Sequence, residues 1–302
     1  MNRYLIRDVT FLFANGRQPR PYPNWKFGAW RLSTGFLPRL RRRLWHNLDA
    51  PGLVRWLAGL RIYIYPNEEI CRSIFVTGSF EPNQFAFLNN VLTPGMTFVD
   101  VGANMGLYTL FAAQKVGQSG SVLAIEPSQR EFERLTQNVA INRLNNVRLR
   151  QLAVSNCQAE AELLIAREDH PGHNTLGAFG YDSVKLQRKE KVAVERLDDL
   201  VEQESLYRVD VIKMDIEGAE FLALQGAENT IARFRPVLLL ELSDRTLNLQ
   251  GCNSRQVWDF LTRFDYHIYK FDQQTGLPVI AQPQSYFDAE NIVALPNHRE
   301  QN

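Results

Sequence analysis

Phe98, Val99 and Val101 form a β-branched and aromatic run that stops at Gly102. A loop of small and polar residues, Gly102 to Gly106, follows, and then Leu107, Leu110 and Phe111 recur at helical spacing. Strand, tight turn and helix start thus lie within the stretch Thr97 to Thr109. Such a junction aims the free amides of the helix's first turn at the strand's carboxyl end, where they favour electron-rich groups. Its glycines permit positive φ and the close approach of a ligand to bare backbone. Asp100 and Asn104 add polar side chains where a packing turn has no need of them. The junction reads as a cofactor cradle, against the plainer reading of a βα turn with small residues for close packing.

The same rhythm recurs. Ser121 to Glu126 predicts a second strand, and Ser128 with Glu131 predicts a capping box on a helix that runs to about Asn142. Val147 to Val154 is a third strand, Val209 to Met214 a fourth, and Pro236 to Leu242 a two-sided apolar strand of the kind buried in the middle of a sheet. Helices are expected from about Gly106 to Val116, Leu197 to Tyr207 and Gly218 to Phe234, with another that Ser254 caps. Tyr266 to Phe271 and Glu290 to Leu295 read as a closing antiparallel pair. Repeated β-loop-α-loop-β order implies a parallel sheet with right-handed crossovers. Between residues 155 and 197 the rhythm breaks into a β-rich insertion around the loop His170 to Gly180.

The charge is divided unevenly. Residues 1–61 carry 12 Lys or Arg against two acids, a net of +10, and the remainder carries −9 (22 against 31). The boundary drawn from this is a basic, aromatic-rich N-terminal extension, residues 1–61, ahead of a main domain, residues 62–302. Basic residues interleaved with Trp25, Trp30 and Phe36 are read first as an extension that packs its aromatics on the main domain and leaves its arginines in solvent, next as a contact for an anionic membrane surface and, less well, for nucleic acid. No apolar stretch reaches the ~20 residues that span a bilayer, and the first eight residues make a poor secretory signal. A cytoplasmic protein, peripheral at the inner membrane surface at most, is expected. Cys71, Cys157 and Cys252 form no C-x-x-C pair and are read as reduced, mostly buried thiols.

In an open α/β sheet the ligand lies outside the strands' carboxyl ends at the switch point beside the first strand. Glu126, at the end of the second strand and 24 residues after Gly102, is spaced to accept from ribose hydroxyls. A dinucleotide site needs G-x-G-x-x-G; here Asn104 and Leu107 stand at its second and third glycines. No G-K-[ST] follows, so a P-loop is excluded. A nucleoside without phosphates fits better, and S-adenosylmethionine is the leading candidate.

Three longer stretches, Phe98-Val-Asp-Val-Gly-Ala-Asn-Met-Gly106, Ala124-Ile-Glu-Pro-Ser128 and Ile212-Lys-Met-Asp-Ile-Glu-Gly-Ala-Glu220, together resemble the FkbM family of S-adenosylmethionine-dependent methyltransferases. Gly78-Ser-Phe-Glu-Pro82 and Asn291-Ile-Val-Ala-Leu-Pro296 extend the resemblance over about residues 75–296. It implies a Rossmann-like class I methyltransferase with a seven-stranded, mostly parallel sheet and one antiparallel strand, and methyl transfer to a hydroxyl of a glycan, lipid-linked sugar or secondary metabolite. The cofactor residues taken from these motifs and the strand ends are Glu81, Asp100, Gly102, Ala103, Asn104, Gly106, Glu126, Pro127, Ala153 and Asp215.

For catalysis the candidates are Asp215, Glu217, Lys213 and His173. Asp215 stands at a strand's carboxyl end, Glu217 two residues on, and Glu220 in the next helix's first turn, where an acid is favoured structurally. Lys213 could orient a carboxylate or the acceptor. His173, in a Gly- and Pro-rich loop near the mouth, is placed to act as a base near neutral pH, unless it is simply a solvated loop histidine. Mg²⁺ on Asp215, Glu217 and Glu241 is an alternative, not the favoured one. An RNA methyltransferase using the basic N-terminus and a non-catalytic nucleoside-binding module are the competing functions. The acceptor and oligomeric state have no signature.

Overall fold

β-Branched runs separated by amphipathic segments pair, in the computed structural model, into one large sheet covered on both faces by helices. The structure describes residues 36–297 apart from 168, 169 and 273; the expectations for residues 1–35 lie outside that range. Helix α1 (Phe36–His46) leads into the antiparallel hairpin β1 (Gly52–Arg55) and β2 (Arg61–Ile64), which crosses residue 61. Helices α2 (Glu69–Thr77) and α3 (Pro82–Val91) follow, then β3 (Thr97–Val101) and α4 (Leu107–Val116) from the opening motif.

Next come β4 (Ser121–Ile125), α5 (Gln129–Ile141), β5 (Val147–Arg150), the short β6 (Ala153–Val154), β7 (Ala159–Ala166) and β8 (Leu186–Glu195). Helix α6 (Leu197–Gln203) returns to β9 (Val211–Met214), helices α7 (Glu220–Gln225) and α8 (Glu228–Phe234), and β10 (Val237–Leu242). The chain closes with α9 (Asp244–Leu247), α10 (Ser254–Arg263), β11 (Tyr266–Phe271), β12 (Pro278–Ile280) and β13 (Glu290–Pro296).

The large sheet runs β12-β11-β13-β10-β9-β3-β4-β5. The pairs joining β10, β9, β3, β4 and β5 are all parallel, while β13 runs antiparallel between β10 and β11. The sheet is mostly parallel as expected but has eight strands, not seven, because β12 adds a short second antiparallel strand at the edge on β11. Strand residues alternate faces: Phe98 and Val211 pack with α3, α4 and α5, whereas Val99, Val101, Ile212 and Met214 pack with α6 to α8 and α10.

Local details depart from the sequence expectations for identifiable reasons. The third strand splits, because β5 stays at the edge of the large sheet while β6 pairs in parallel with β8 in a separate three-stranded sheet, β6-β8-β7. The helix expected from Gly218 to Phe234 is two, since Asp198 of α6 accepts from the amides of Asn229 and Thr230 and caps a new start. The Ser128 capping box does not form: the Ser128 hydroxyl is buried without a partner, and Glu131 instead pairs with Arg130 and Arg134. Helix α10 is capped by Asn253, not Ser254, in a reciprocal box with Gln256. Cys71 and Cys252 are buried but Cys157 is exposed, and all three are free thiols.

Candidate active site

The carboxyl ends of β3, β4, β9 and β10 open onto a cavity of about 230 Å³, walled also by Glu69 and Ile70 at the start of α2, by Phe80 and Glu81, and by residues 170–176 of the insertion. One half is largely apolar and ends at Glu126. The other half is crowded with acids.

In the apolar half, Glu126 is buried and accepts from the Asn104 amide (2.8 Å) through one oxygen and from the Ser128 amide (2.9 Å) through the other. Burial pushes its carboxyl up to about 8. Pro127, Leu152 and Ala153 line the wall beside it. The Asn104 side chain closes its own turn, its Oδ1 accepting from the Met105 amide at 2.6 Å, with φ at 50°.

The loop's glycines serve the protein's own packing. A Cβ on Gly102 would lie 2.1 Å from the Asp215 carbonyl oxygen, and one on Gly106 would lie 2.6 Å from Leu135 Cδ1. Both residues have positive φ. They let β3 close on β9 and α4 close on α5, a different task from the clearance for a ligand that the motif suggested.

In the acidic half, Asp100 and Lys213 are register partners on neighbouring strands and so share a sheet face. Asp100 is fully buried behind the cavity wall, its Oδ2 accepting from the Thr109 hydroxyl (2.6 Å) and its Oδ1 3.9 Å from Lys213 Nζ. Lys213 Nζ donates to the Gly102 carbonyl (3.2 Å), lies 3.4 Å from Asp215 Oδ2, and stands over the Tyr108 ring at 5.0 Å. Burial works against its charge, yet Asp215, Asp100 and Glu81 outweigh burial and hold the ammonium above its ordinary range.

Glu81 is fastened by the Tyr108 hydroxyl (2.6 Å) and Asn291 Nδ2 (3.0 Å), and burial together with the Asp215 charge raises its carboxyl. Carboxylate oxygens of Asp215, Glu217 and Glu241 lie within 4.8 Å of one another. The Asp215 charge, then burial, drives the Glu241 carboxyl well above the usual range.

His173 comes to this cluster from the insertion. Its Nδ1 is 2.8 Å from Glu217 Oε1, and that hydrogen bond raises the imidazole pKa against the opposing effect of burial. Its loop is tied down: the Ala166 amide donates to Asn174 Oδ1, the Thr175 backbone bridges Leu164 in both directions, and the Thr175 hydroxyl donates to the Glu217 carbonyl at 3.1 Å. Three non-glycine residues of the cavity wall, Glu81, Asn104 and Glu217, hold positive φ. Such strain gathers where a fold holds functional groups against backbone preference.

The family model described as the methyltransferase FkbM domain matches residues 100–268. The chain belongs to the FkbM methyltransferase family. The FkbM chain is 29% identical over 161 residues to "Methyltransferase 1" of Beauveria bassiana, a match covering 48% of this chain and 64% of that one. It is 31% identical over 156 residues to "Methyltransferase sdnD" of Sordaria araneosa, covering 43% and 60% respectively. It thus spans less than two thirds of the length of these two relatives. A "2-O-methyltransferase NoeI" of Sinorhizobium fredii is 24% identical over 188 residues, covering 57% of this chain and 73% of its own.

In this FkbM site the structure gathers Glu81, Gly102, Ala103, Asn104, Glu126, Pro127, Ala153, His173, Lys213, Asp215 and Glu217 on the cavity wall, while Asp100 and Gly106 stand behind it. Glu220 points away, its Oε1 accepting from the Ile216 and Gly218 amides, which is the structural role its place in a first turn suggested. Sequence reasoning missed Tyr108, Asn291 and Thr175, which hold Glu81 and the His173 loop. Asn291 had a signal in its place in a family motif; the other two look like ordinary helix and loop residues.

Proposed function

We propose that this FkbM methyltransferase moves the methyl group of S-adenosylmethionine to a hydroxyl of a glycan, lipid-linked sugar or secondary metabolite. The observation that carries the reading is one cavity lined both by the buried Glu126 with Pro127, Leu152 and Ala153 and by Glu81, Asp215, Glu217 and Glu241 around one lysine. A nucleoside that bears a sulfonium and an ammonium is complementary to such a surface. Glu126 has lone pairs left for ribose hydroxyls after its two amide contacts, and Pro127, Leu152 and Ala153 offer apolar surface to a base. Lys213 suits a carboxylate, Glu81 and Asp215 an ammonium.

When bound, S-adenosylmethionine supplies an electrophilic methyl group. The protein's own residues handle the proton. Glu217, accepting from the Nδ1–H of His173, selects the tautomer whose Nε2 is free to take a proton from the acceptor hydroxyl. Such a base is worth about 10²- to 10⁴-fold. The Sinorhizobium fredii relative is named a 2-O-methyltransferase, which agrees with transfer to oxygen.

Titration calorimetry with S-adenosylmethionine and S-adenosylhomocysteine tests the cofactor, and binding of neither by folded protein would sink the reading. Mg²⁺ is separated by dialysis against EDTA. Unchanged turnover is expected, because Lys213 already supplies positive charge beside Asp215 and His173 already engages Glu217. Activity lost to EDTA and restored by Mg²⁺ transfers the acid-base role from His173 to a metal held by Asp215, Glu217 and Glu241.

A further inference from the structure

Helix α1 carries Arg39, Arg41, Arg42 and Arg43 and no acid. Its inner side is anchored by Trp45, buried against the Phe75 ring of α2 at 5.8 Å between centroids. Leu40 and Leu44, one turn apart, stand away from Trp45 and are 40% and 51% exposed. Arg39 and Arg43 flank this leucine strip on one side and Arg41 on the other, all exposed. From α1 through Arg61 the chain holds six arginines against one acid, Asp49.

A core-facing helix would turn its leucines inward and its arginines outward. Here, among the described side chains of α1, both leucines and arginines face out and Trp45 faces the protein. Nucleic acid would account for the arginines and leave the leucines in water. A second copy of this chain would bring arginines against arginines across a twofold axis. A bilayer with anionic headgroups answers both features: apolar side chains enter the headgroup boundary while guanidinium groups pair with phosphates bidentately.

We propose that α1 docks the protein on an anionic lipid surface, with Leu40 and Leu44 inserted and Arg39, Arg41 and Arg43 on lipid phosphates. The inference is independent of the methyl-transfer reading. The test is flotation of the full chain with vesicles of phosphatidylcholine alone and of phosphatidylcholine containing about one third phosphatidylglycerol. Binding to the anionic vesicles only is expected, weakening as salt is raised.

Each arginine near such a surface contributes about fivefold in partitioning. Arg41→Glu with Arg43→Glu should therefore lower binding at least about 25-fold, and Leu40→Ser with Leu44→Ser should lower it while leaving the salt dependence. The circular-dichroism melt checks each variant's fold, and the salt series on the unaltered chain stands without any variant. Four results overturn the proposal: no flotation, equal flotation with neutral vesicles, retention on RNA without vesicle binding, or leucine-dependent self-association without vesicle binding.

Discussion

At the carboxyl end of β4, Glu126 ties the cradle loop to the strand while keeping lone pairs toward the cavity. Leaving a buried partner without its hydrogen bond costs about 1–3 kcal/mol, so Glu126→Ala should weaken S-adenosylmethionine binding about 10- to 100-fold. Glu126→Gln, which keeps the volume, should fall between the two. Calorimetry measures both, and an unchanged affinity in Glu126→Ala removes the residue from the cofactor site. The His173–Glu217 pair is tested by its pH profile. Glu217 raises the pKa of His173, and the base works only when neutral, so activity is lost as pH falls through that raised value. Glu217→Gln should move the acid limb of kcat/KM to lower pH, and His173→Ala should lower kcat about 10²- to 10⁴-fold with cofactor affinity kept. An acid limb unmoved in Glu217→Gln ends the assignment.

The insertion sheet β6-β8-β7 is the element that brings His173 to the carboxyl ends of the parallel strands. It closes the third strand early, projects the loop 170–176 over β9, and staples that loop through the Leu164–Thr175 bridge and the Thr175 hydroxyl on the Glu217 carbonyl. Thr175→Val keeps the shape of the side chain and deletes the hydroxyl contacts. The expected result is a kcat lowered about 3- to 10-fold, from loss of the neutral hydrogen bond to the Glu217 carbonyl and the one accepted from the Gly177 amide at a positioning residue, with S-adenosylmethionine affinity unchanged. A parallel loss of affinity would show the loop to hold the cofactor rather than the base. The double role of the strand ends, as backbone contacts and as side-chain platforms, explains why Gly102 has no substitute: β3 and β9 approach so closely there that any Cβ meets a carbonyl.

Across the whole molecule, buried acids make stability depend on pH in an unusual direction. Burial pushes Glu68 up to about 7, Glu126 to about 8 and Glu220 to about 7, from an unfolded value of 4.5. A group that holds its proton more tightly when folded contributes stability that is complete below the unfolded value and is lost as pH rises through the folded one. Ligand-free protein should therefore melt at a lower temperature at about pH 9 than at about pH 6. Thermal unfolding followed by circular dichroism checks this, and a Tm that rises over the same interval contradicts the burial of these carboxylates. Among the described residues no helix is long and apolar enough to cross a membrane.

Read as sequence, the chain already disclosed its parallel sheet, its strand ends and the acids there, because strand and helix periodicities are local and show in consecutive residues. Asp100, Glu126 and Asp215 could be assigned to strand ends on that basis alone. What the loop glycines clear could not be read in the same way, since Gly102 meets Asp215 and Gly106 meets Leu135 only after the intervening strand crossovers have been made. The approach of His173 to Glu217, 44 residues apart, and of Asn291 to Glu81, 210 apart, was likewise decided by tertiary structure. Periodicity determines which face a side chain takes on its own element; strand order and register decide which side chains from distant elements share that face, and here they decided which acids acquired a lysine or a histidine.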